Sequence, residues 1–231
     1  MGKYLMISLL IFSLVLLQGN SKPDIDGILL KNSKILQTLN LKSGKQLKNI
    51  IILPNHKNYN YGEVKKIISR LDHLPSSMLN RAMLAGIKVK LFDGKLTDNP
   101  TAAFLKGITP RGYQDRSMTW DKVPGIGGSQ IVLVKIGSSE QGMGHGSVNL
   151  ELHEMAHSLE RFLYSSNDKK RNFKYIWKEE APLLFPHTQY FLTYPEEYFA
   201  ETFAMYYYNK VTKNELRRLA PSTYTYISLL Q

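Results

Sequence analysis

Apolar positions change period several times along the chain, and each change marks an element. Asn49-Ile-Ile-Ile-Leu53 is a continuous apolar, β-branched run that stops at Pro54, the pattern of a buried strand. Val64, Ile67, Ile68 and Leu71 then fall at i, i+3, i+4 and i+7, one face of a helix packing on that strand. Ser76 or Ser77 caps a second helix through Met78, Ala82 and Met83, and Gly86 stands at its stop. Ile87-Lys-Val-Lys-Leu91 alternates with period two, predicting a strand with one wet face before a turn at Asp93-Gly94. Ile131-Val-Leu-Val-Lys135 is a further strand, either one that holds an extended peptide by edge pairing or an ordinary edge strand, and the sequence does not separate the two. Between these strands residues 101–130 are broken by Gly and Pro, as in Thr109-Pro-Arg-Gly112 and Val123-Pro-Gly-Ile-Gly-Gly-Ser129, and read as loops. Near Ile28–Leu39 the spacing allows a helix; residues 22–45 are otherwise an unassigned N-terminal extension.

The second half is helical. The glycine-rich Gly142-Met-Gly-His-Gly146 leads into a helix over Leu150, Leu152 and Ala156. Phe162 to Leu184 reads as largely helical, with Tyr175 and Trp177 in the core. Pro195 suits the first turn of an apolar helix to Tyr208, with Glu196 and Glu197 at the positive end of its dipole. Pro221 opens a last short helix to Leu230. There is no internal repeat. At the other end, Met1-Gly-Lys-Tyr4, an apolar run Leu5–Leu17 and Gln18-Gly-Asn-Ser21 have the make-up of a secretory signal peptide over residues 1–21, an uncleaved anchor being the alternative. Residues 22–231 are then one domain, secreted and extracellular, with no stable membrane association once the signal is cleaved.

Composition narrows this further. With 43% apolar and 21% charged residues the chain is a folding, not a disordered, sequence. It has no cysteine, so neither a disulfide framework nor a lipoprotein attachment holds it. The net charge of +11 is scattered in groups such as Lys42-Ser-Gly-Lys45 and Lys169-Lys-Arg171, which describes a solvated basic surface attractive to an anionic cell wall. No nucleic-acid recognition motif accompanies the charge.

Chemistry enters at His153-Glu-Met-Ala-His157, an H-E-x-x-H pattern. On a helix residues four apart share a face, so both imidazoles can reach one Zn²⁺ at about 2.0–2.1 Å, with Glu154 beside the metal. That arrangement binds a water, lowers its pKa and gives its proton to a nearby carboxylate. Two histidines on a half-buried helix with no partner would be costly, and a metal is such a partner. The same motif also arises by chance on a solvated face. A third ligand is required. The continuation H-E-x-x-H-x-x-G-x-x-H is excluded, because its glycine and histidine positions are Glu160 and Leu163. The helix at 195–208 carries Glu196, Glu197 and Glu201 instead. Glu197 and Glu201 share a face: the first suits a ligand, the second an acceptor for a ligand histidine, unless these acids only serve the helix N-terminus. Tyr190 and Tyr194, just upstream, both qualify as donors to an oxyanion, and position alone does not choose between them.

Asn149-Leu-Glu-Leu-His-Glu-Met-Ala-His157 and Tyr194-Pro-Glu-Glu-Tyr-Phe-Ala-Glu-Thr-Phe-Ala-Met-Tyr-Tyr-Tyr208 resemble the secreted Pro-Pro endopeptidases of Gram-positive bacteria, which belong with the catalytic domain of anthrax toxin lethal factor. The likeness extends to Leu91-Phe-Asp-Gly-Lys-Leu-Thr-Asp98, Leu105-Lys-Gly107, Thr119-Trp-Asp-Lys-Val-Pro-Gly-Ile-Gly-Gly-Ser129 and Ala220-Pro-Ser-Thr-Tyr224, roughly residues 46–231. It implies an α+β, zincin-like metalloprotease: a small mixed sheet with helices in an N-terminal lobe, a mainly helical C-terminal lobe and a cleft between them. It implies one Zn²⁺ held by His153, His157 and Glu197, Glu154 as general base and acid, Glu201 behind a ligand histidine, and Tyr190 rather than Tyr194 as the catalytic tyrosine. Trp120 is implied to line the substrate groove, with Gly128, Ser129 and Gln130 in the loop that tunes preference and Glu196 in the same substrate set. Two positions depart from the family pattern. Met118 replaces a Lys that pairs with Glu196 in some relatives, and Glu160 replaces an Asp after the second histidine.

The implied reaction is hydrolysis between two prolines in proline-rich extracellular or surface proteins, by a monomer. Proline lacks an N–H and has a fixed φ, so such a substrate needs an aromatic wall and a kinked groove more than a plain sheet edge. The rival readings are a toxin-like zinc metalloprotease of other specificity, and a non-catalytic secreted wall-binding protein.

Overall fold

The computed structural model describes residues 25–112 and 115–230, and no side chain of residues 168–170. The signal-peptide segment 1–21 lies outside the described residues. Five strands, β1 (Ile28–Leu29), β2 (Ile51–Leu53), β3 (Lys88–Phe92), β4 (Gly125–Ile126) and β5 (Ile131–Lys135), form one sheet in the order β1-β2-β3-β5-β4. The inner pairs β2–β3 and β3–β5 are parallel, with Val89 opposite Val132 and Leu91 opposite Val134. The outer strands β1 and β4 run antiparallel to their neighbours, so the sheet is mixed.

Helices α1 (Gly44–Ile50), α2 (Tyr61–Leu71) and α3 (Ser76–Leu84) accompany this sheet. Val64, Ile67, Ile68 and Leu71 are all buried, as the spacing of α2 requires. Fully burying side chains of this size contributes about 1.5–3 kcal/mol each. The helical half consists of α4 (Leu150–Leu163), α5 (Asn167–Leu184), α6 (Gln189–Thr193), α7 (Pro195–Tyr208), α8 (Lys210–Leu219) and α9 (Pro221–Ser228). A continuous apolar core joins the two halves through α4 and α7, the most extensively packed pair of elements. Buried acids fasten the ends of helices. Glu180 accepts the Ser222 and Thr223 N–H groups at the start of α9, and Asp72 accepts Lys42 and Ser43 N–H at the start of α1. The chain thus has the α+β architecture of a small mixed sheet with helices beside a mainly helical lobe.

Several local expectations change. Residues 28–39 are not one helix but β1 followed by 3-10 turns at Leu30–Asn32 and Lys34–Thr38. Asn49 and Ile50 belong to α1, which ends at Ile50, so the first apolar strand begins at Ile51. β3 has no wet face: Lys90 is 7% exposed, because the segments around Ile25 and Leu96–Leu105 cover that side with a second apolar cluster. Burial lowers the Lys90 ammonium pKa, and Asp26 opposes it. β5 is not an edge; the two-residue β4 lies outside it. The helical stretch from Phe162 breaks between Leu163 and Asn167. Within it, Trp177 is partly buried and donates Nε1–H to the Phe191 carbonyl at 2.8 Å, whereas Tyr175 is exposed.

Candidate active site

α4 begins where the Asn149 side chain accepts the Leu152 N–H, and its apolar face of Leu152, Met155, Ala156 and Leu159 is buried against the core. That docking fixes the opposite phase. His153 and His157 bring their Nε2 atoms to 3.2 Å from each other. Each is 3.4 Å from Oε2 of Glu197 on α7. Three donors on two packed helices thus make a nearly equilateral triangle, and Glu197 is the third corner that the spacing of α4 could not supply.

The residues around this triangle orient it. Glu201, one turn along α7, places Oε2 3.1 Å from His153 Nδ1 and accepts the Val148 N–H on Oε1 at 2.9 Å. The carboxylate accepts from Nδ1–H, so Nε2 is the nitrogen directed into the triangle, and its lone pair becomes available to a metal that displaces the Nε2 proton. Burial disfavours a charged imidazole at His153, yet Glu197 and Glu201 outweigh it and raise the ring to about 10. Burial likewise opposes ionisation of Glu197, but the two histidines hold its carboxyl well below the usual range. The pocket therefore attracts a cation. Four zinc bonds of about 2.0–2.1 Å in tetrahedral array separate neighbouring donors by about 3.3–3.4 Å, and the observed edges of 3.2, 3.4 and 3.4 Å are close to that. The residues fit the metal.

Glu154 is on the cleft side of α4, not in the triangle. Burial pushes its carboxyl up, the two histidines oppose, and the Gly127 N–H faces it. Gly127, the residue after β4, is where the chain passes over α4: a Cβ there would lie 2.0 Å from the Glu154 carbonyl oxygen. Only a residue without a side chain lets the chain lie this close. Gly127→Ala is expected to retain zinc but lower kcat about 100-fold, since a displacement near 1 Å costs that much at a reacting centre. Wild-type kcat in that variant, measured with the metal content, would show that the close approach does not matter.

A cleft of about 1100 Å³ runs past these groups, with Trp120, Ile126, Gly128, Glu154, Tyr190 and Glu196 on its walls. Trp120 is held by its N–H to the Ile108 carbonyl, 2.9 Å, and by its neighbour Asp121. The Asp121 carboxylate accepts Thr97 Oγ1, the Gly107 N–H and Thr119 Oγ1, bonds that keep it well below the usual carboxyl range. Gly128 donates its N–H to Ser158 Oγ, and its carbonyl accepts from Arg161. Ser129 and Gln130 do not line the cleft: the Ser129 hydroxyl turns back to Ile131, and Gln130 Nε2 donates to the Ala85 carbonyl. Tyr190 lies in α6 on the cleft wall, and burial, followed by Glu197, raises its phenol above the ordinary value despite Arg111. It stays protonated and can only donate to an anionic oxygen. Tyr194 is turned under Arg111, whose guanidinium lies 4.0 Å from its ring centre.

Arg111 has no counterpart in the sequence reading. Its Nη1 is 2.9 Å from Glu196 Oε1 and its Nη2 donates to Glu197 Oε1 at 3.0 Å. A lone cation in a Pro-Gly turn carries no periodicity to reveal it.

Comparison with known proteins places relatives along most of the chain. Residues 37–230 match the family model described as anthrax toxin lethal factor, N- and C-terminal domain. A Pro-Pro endopeptidase from Clostridioides difficile (strain 630) is 40% identical over 184 residues, 80% of this chain and 82% of that protein. One from Paenibacillus alvei is 37% identical over 184 residues, 80% of this chain and 84% of that protein. The solved structure of the Paenibacillus alvei Pro-Pro endopeptidase superposes with a TM-score of 0.73 at 35% identity, covering 86% of this chain and all of that one. The chain belongs to the Pro-Pro endopeptidase family and is a metalloendopeptidase.

Proposed function

We propose that this chain is a secreted zinc endopeptidase that hydrolyses the bond between two prolines in proline-rich extracellular or surface proteins. The observation that carries the reading is the triangle of His153, His157 and Glu197, with edges of 3.2, 3.4 and 3.4 Å beside Glu154. Bound there, zinc would polarise the scissile carbonyl and make a water acidic near neutral pH. Glu154 takes the proton of the attacking water as the new C–O bond forms. It then delivers that proton to the proline ring nitrogen as the C–N bond breaks, so one carboxyl serves as base and acid. Tyr190 donates its phenolic hydrogen to the carbonyl oxygen as negative charge collects there.

The substrate side supports proline. β4 gives the cleft a sheet edge only two residues long, and Trp120 faces it with an aromatic wall. Consecutive prolines offer no N–H to a longer edge, and their rings pack on an aromatic face. The relatives named above are Pro-Pro endopeptidases, which supports the same preference. Export rests on the composition of residues 1–21; among the described residues no helix is long and apolar enough to cross a membrane.

The test uses purified mature protein of known zinc content and quenched peptides with a central Pro-Pro or Ala-Ala. Cleavage between the prolines, abolished by a chelator and restored by zinc, is the expected result. Cleavage of the Ala-Ala controls alone would discard the proline rule and favour another specificity. A zinc-loaded protein inert towards both would favour the binding protein.

A further inference from the structure

Arg111 reaches the metal-binding triangle from a loop that belongs to neither ligand helix. Its side chain is 49% exposed, as a surface arginine would be, but its partners are not equivalent. Glu196 is 36% exposed and lies at the rim, where solvent screens the pair and it contributes little. Glu197 is 11% exposed, and its two oxygens face opposite ways. Oε2 points to both histidines, while Oε1 accepts the Arg111 hydrogen bond at 3.0 Å. The guanidinium carbon also lies 4.0 Å from the centre of the Tyr194 ring, at the entrance to α7. One residue on, Gly112 has φ +89° and lies so close to Tyr190 that a Cβ would be 2.7 Å from its ring. The loop therefore touches the ligand carboxylate, the helix start and the tyrosine together.

We propose that Arg111 is a positioning residue for Glu197: by holding Oε1 it fixes the rotation of the carboxylate, so that Oε2 alone is offered to the metal. The inference rests on the zinc reading given above. Arg111 acts on the metal through Glu197; its guanidinium also reaches the Tyr190 phenol, so zinc affinity, not turnover, is the readout that isolates this role. Its role uses the planar fork, because the two Nη groups serve the carboxylates of consecutive residues, and an ammonium cannot hold both in fixed directions. Removing the partner behind a metal ligand typically costs 10–100-fold in affinity or activity.

The measurement is zinc affinity, by competition with a chromogenic chelator, for metal-stripped wild type, Arg111→Met, Arg111→Lys and Glu196→Gln. Thermal melts of the metal-free proteins run alongside. Arg111→Met is expected to bind zinc 10–100-fold more weakly with an unchanged metal-free melt. Arg111→Lys should recover only part of the loss, and Glu196→Gln should stay within about threefold of wild type. Wild-type affinity in Arg111→Met overturns the inference. So does an equal loss in Glu196→Gln, which would make the loop tether, not the ligand contact, responsible. If Arg111→Met fails to fold, the comparison of Arg111→Lys with Glu196→Gln decides by the same criterion. A wild-type protein that binds no zinc overturns the metal reading itself and this inference with it, whereas wild-type binding matched by Arg111→Met removes this inference alone.

Discussion

Glu154→Gln is expected to keep its zinc and to lose 10²–10⁴-fold in kcat, the range that general acid–base catalysis supplies. Glutamine has the shape of glutamate, and its side-chain oxygen still accepts from the Gly127 N–H that faces this position. An amide takes up no proton near neutral pH, so the step that deprotonates water and later protonates the leaving nitrogen loses its carrier. Glu154 contributes no donor atom to the triangle of His153, His157 and Glu197, and the metal content should match wild type. Both numbers are needed. A loss of activity together with zinc would place Glu154 among the holders of the metal, and near-wild-type kcat with zinc bound would remove it from the mechanism.

How far the sequence reached follows from the range of the interactions involved. The pair His153 and His157 was legible because a helix of period 3.6 makes positions four apart neighbours, a purely local relation. Sequence also narrowed the third corner to acids on one segment. Which acid faces the histidines depends on how α7 packs on α4, and the buried residues Tyr198 to Tyr206 surround that helix too evenly for periodicity to give its phase. β4 was beyond reach for a related reason. Two residues, one of them glycine, have no alternation to detect, and the strand exists because β5 pairs with it and Gly127 lets it approach α4. Lys90 failed in the opposite direction: its period-two pattern signalled solvent, but chain from distant positions covers that face. Tyr175 is exposed although aromatic, because residue type without periodicity does not fix which face of a helix is buried. Arg111 shows the limit most plainly, since all its partners are about 85 residues away and none shares an element with it.

Tyr190→Phe is expected to lower kcat by about 10²–10³-fold with KM changed by no more than a few-fold, the cost of removing one donor to an oxyanion. The ring itself has structural work: it packs 5.3 Å from Tyr194, centre to centre, and lies under Gly112. Phenylalanine preserves those contacts, so the melting temperature should hold and the kinetic loss should isolate the hydroxyl. Burial and the nearby Glu197 raise the phenol pKa, which keeps the hydrogen in place throughout the working pH range. Before substrate arrives the phenol lies against Glu197 and Arg111, and its hydrogen bond to the carbonyl oxygen strengthens as charge develops there. A donor of that kind appears in kcat, not in KM. Tyr194→Phe is the matched control: its ring lies against Arg111, its carbonyl accepts the Glu197 and Tyr198 N–H groups at the start of α7, and it does not line the cleft, so loss of its hydroxyl is expected to leave kcat near wild type. Should Tyr190→Phe raise KM with kcat unchanged, the phenol would be a substrate-binding group and the transition-state role would fall. Should Tyr194→Phe carry the kcat loss instead, the two tyrosines would have been assigned in the wrong order.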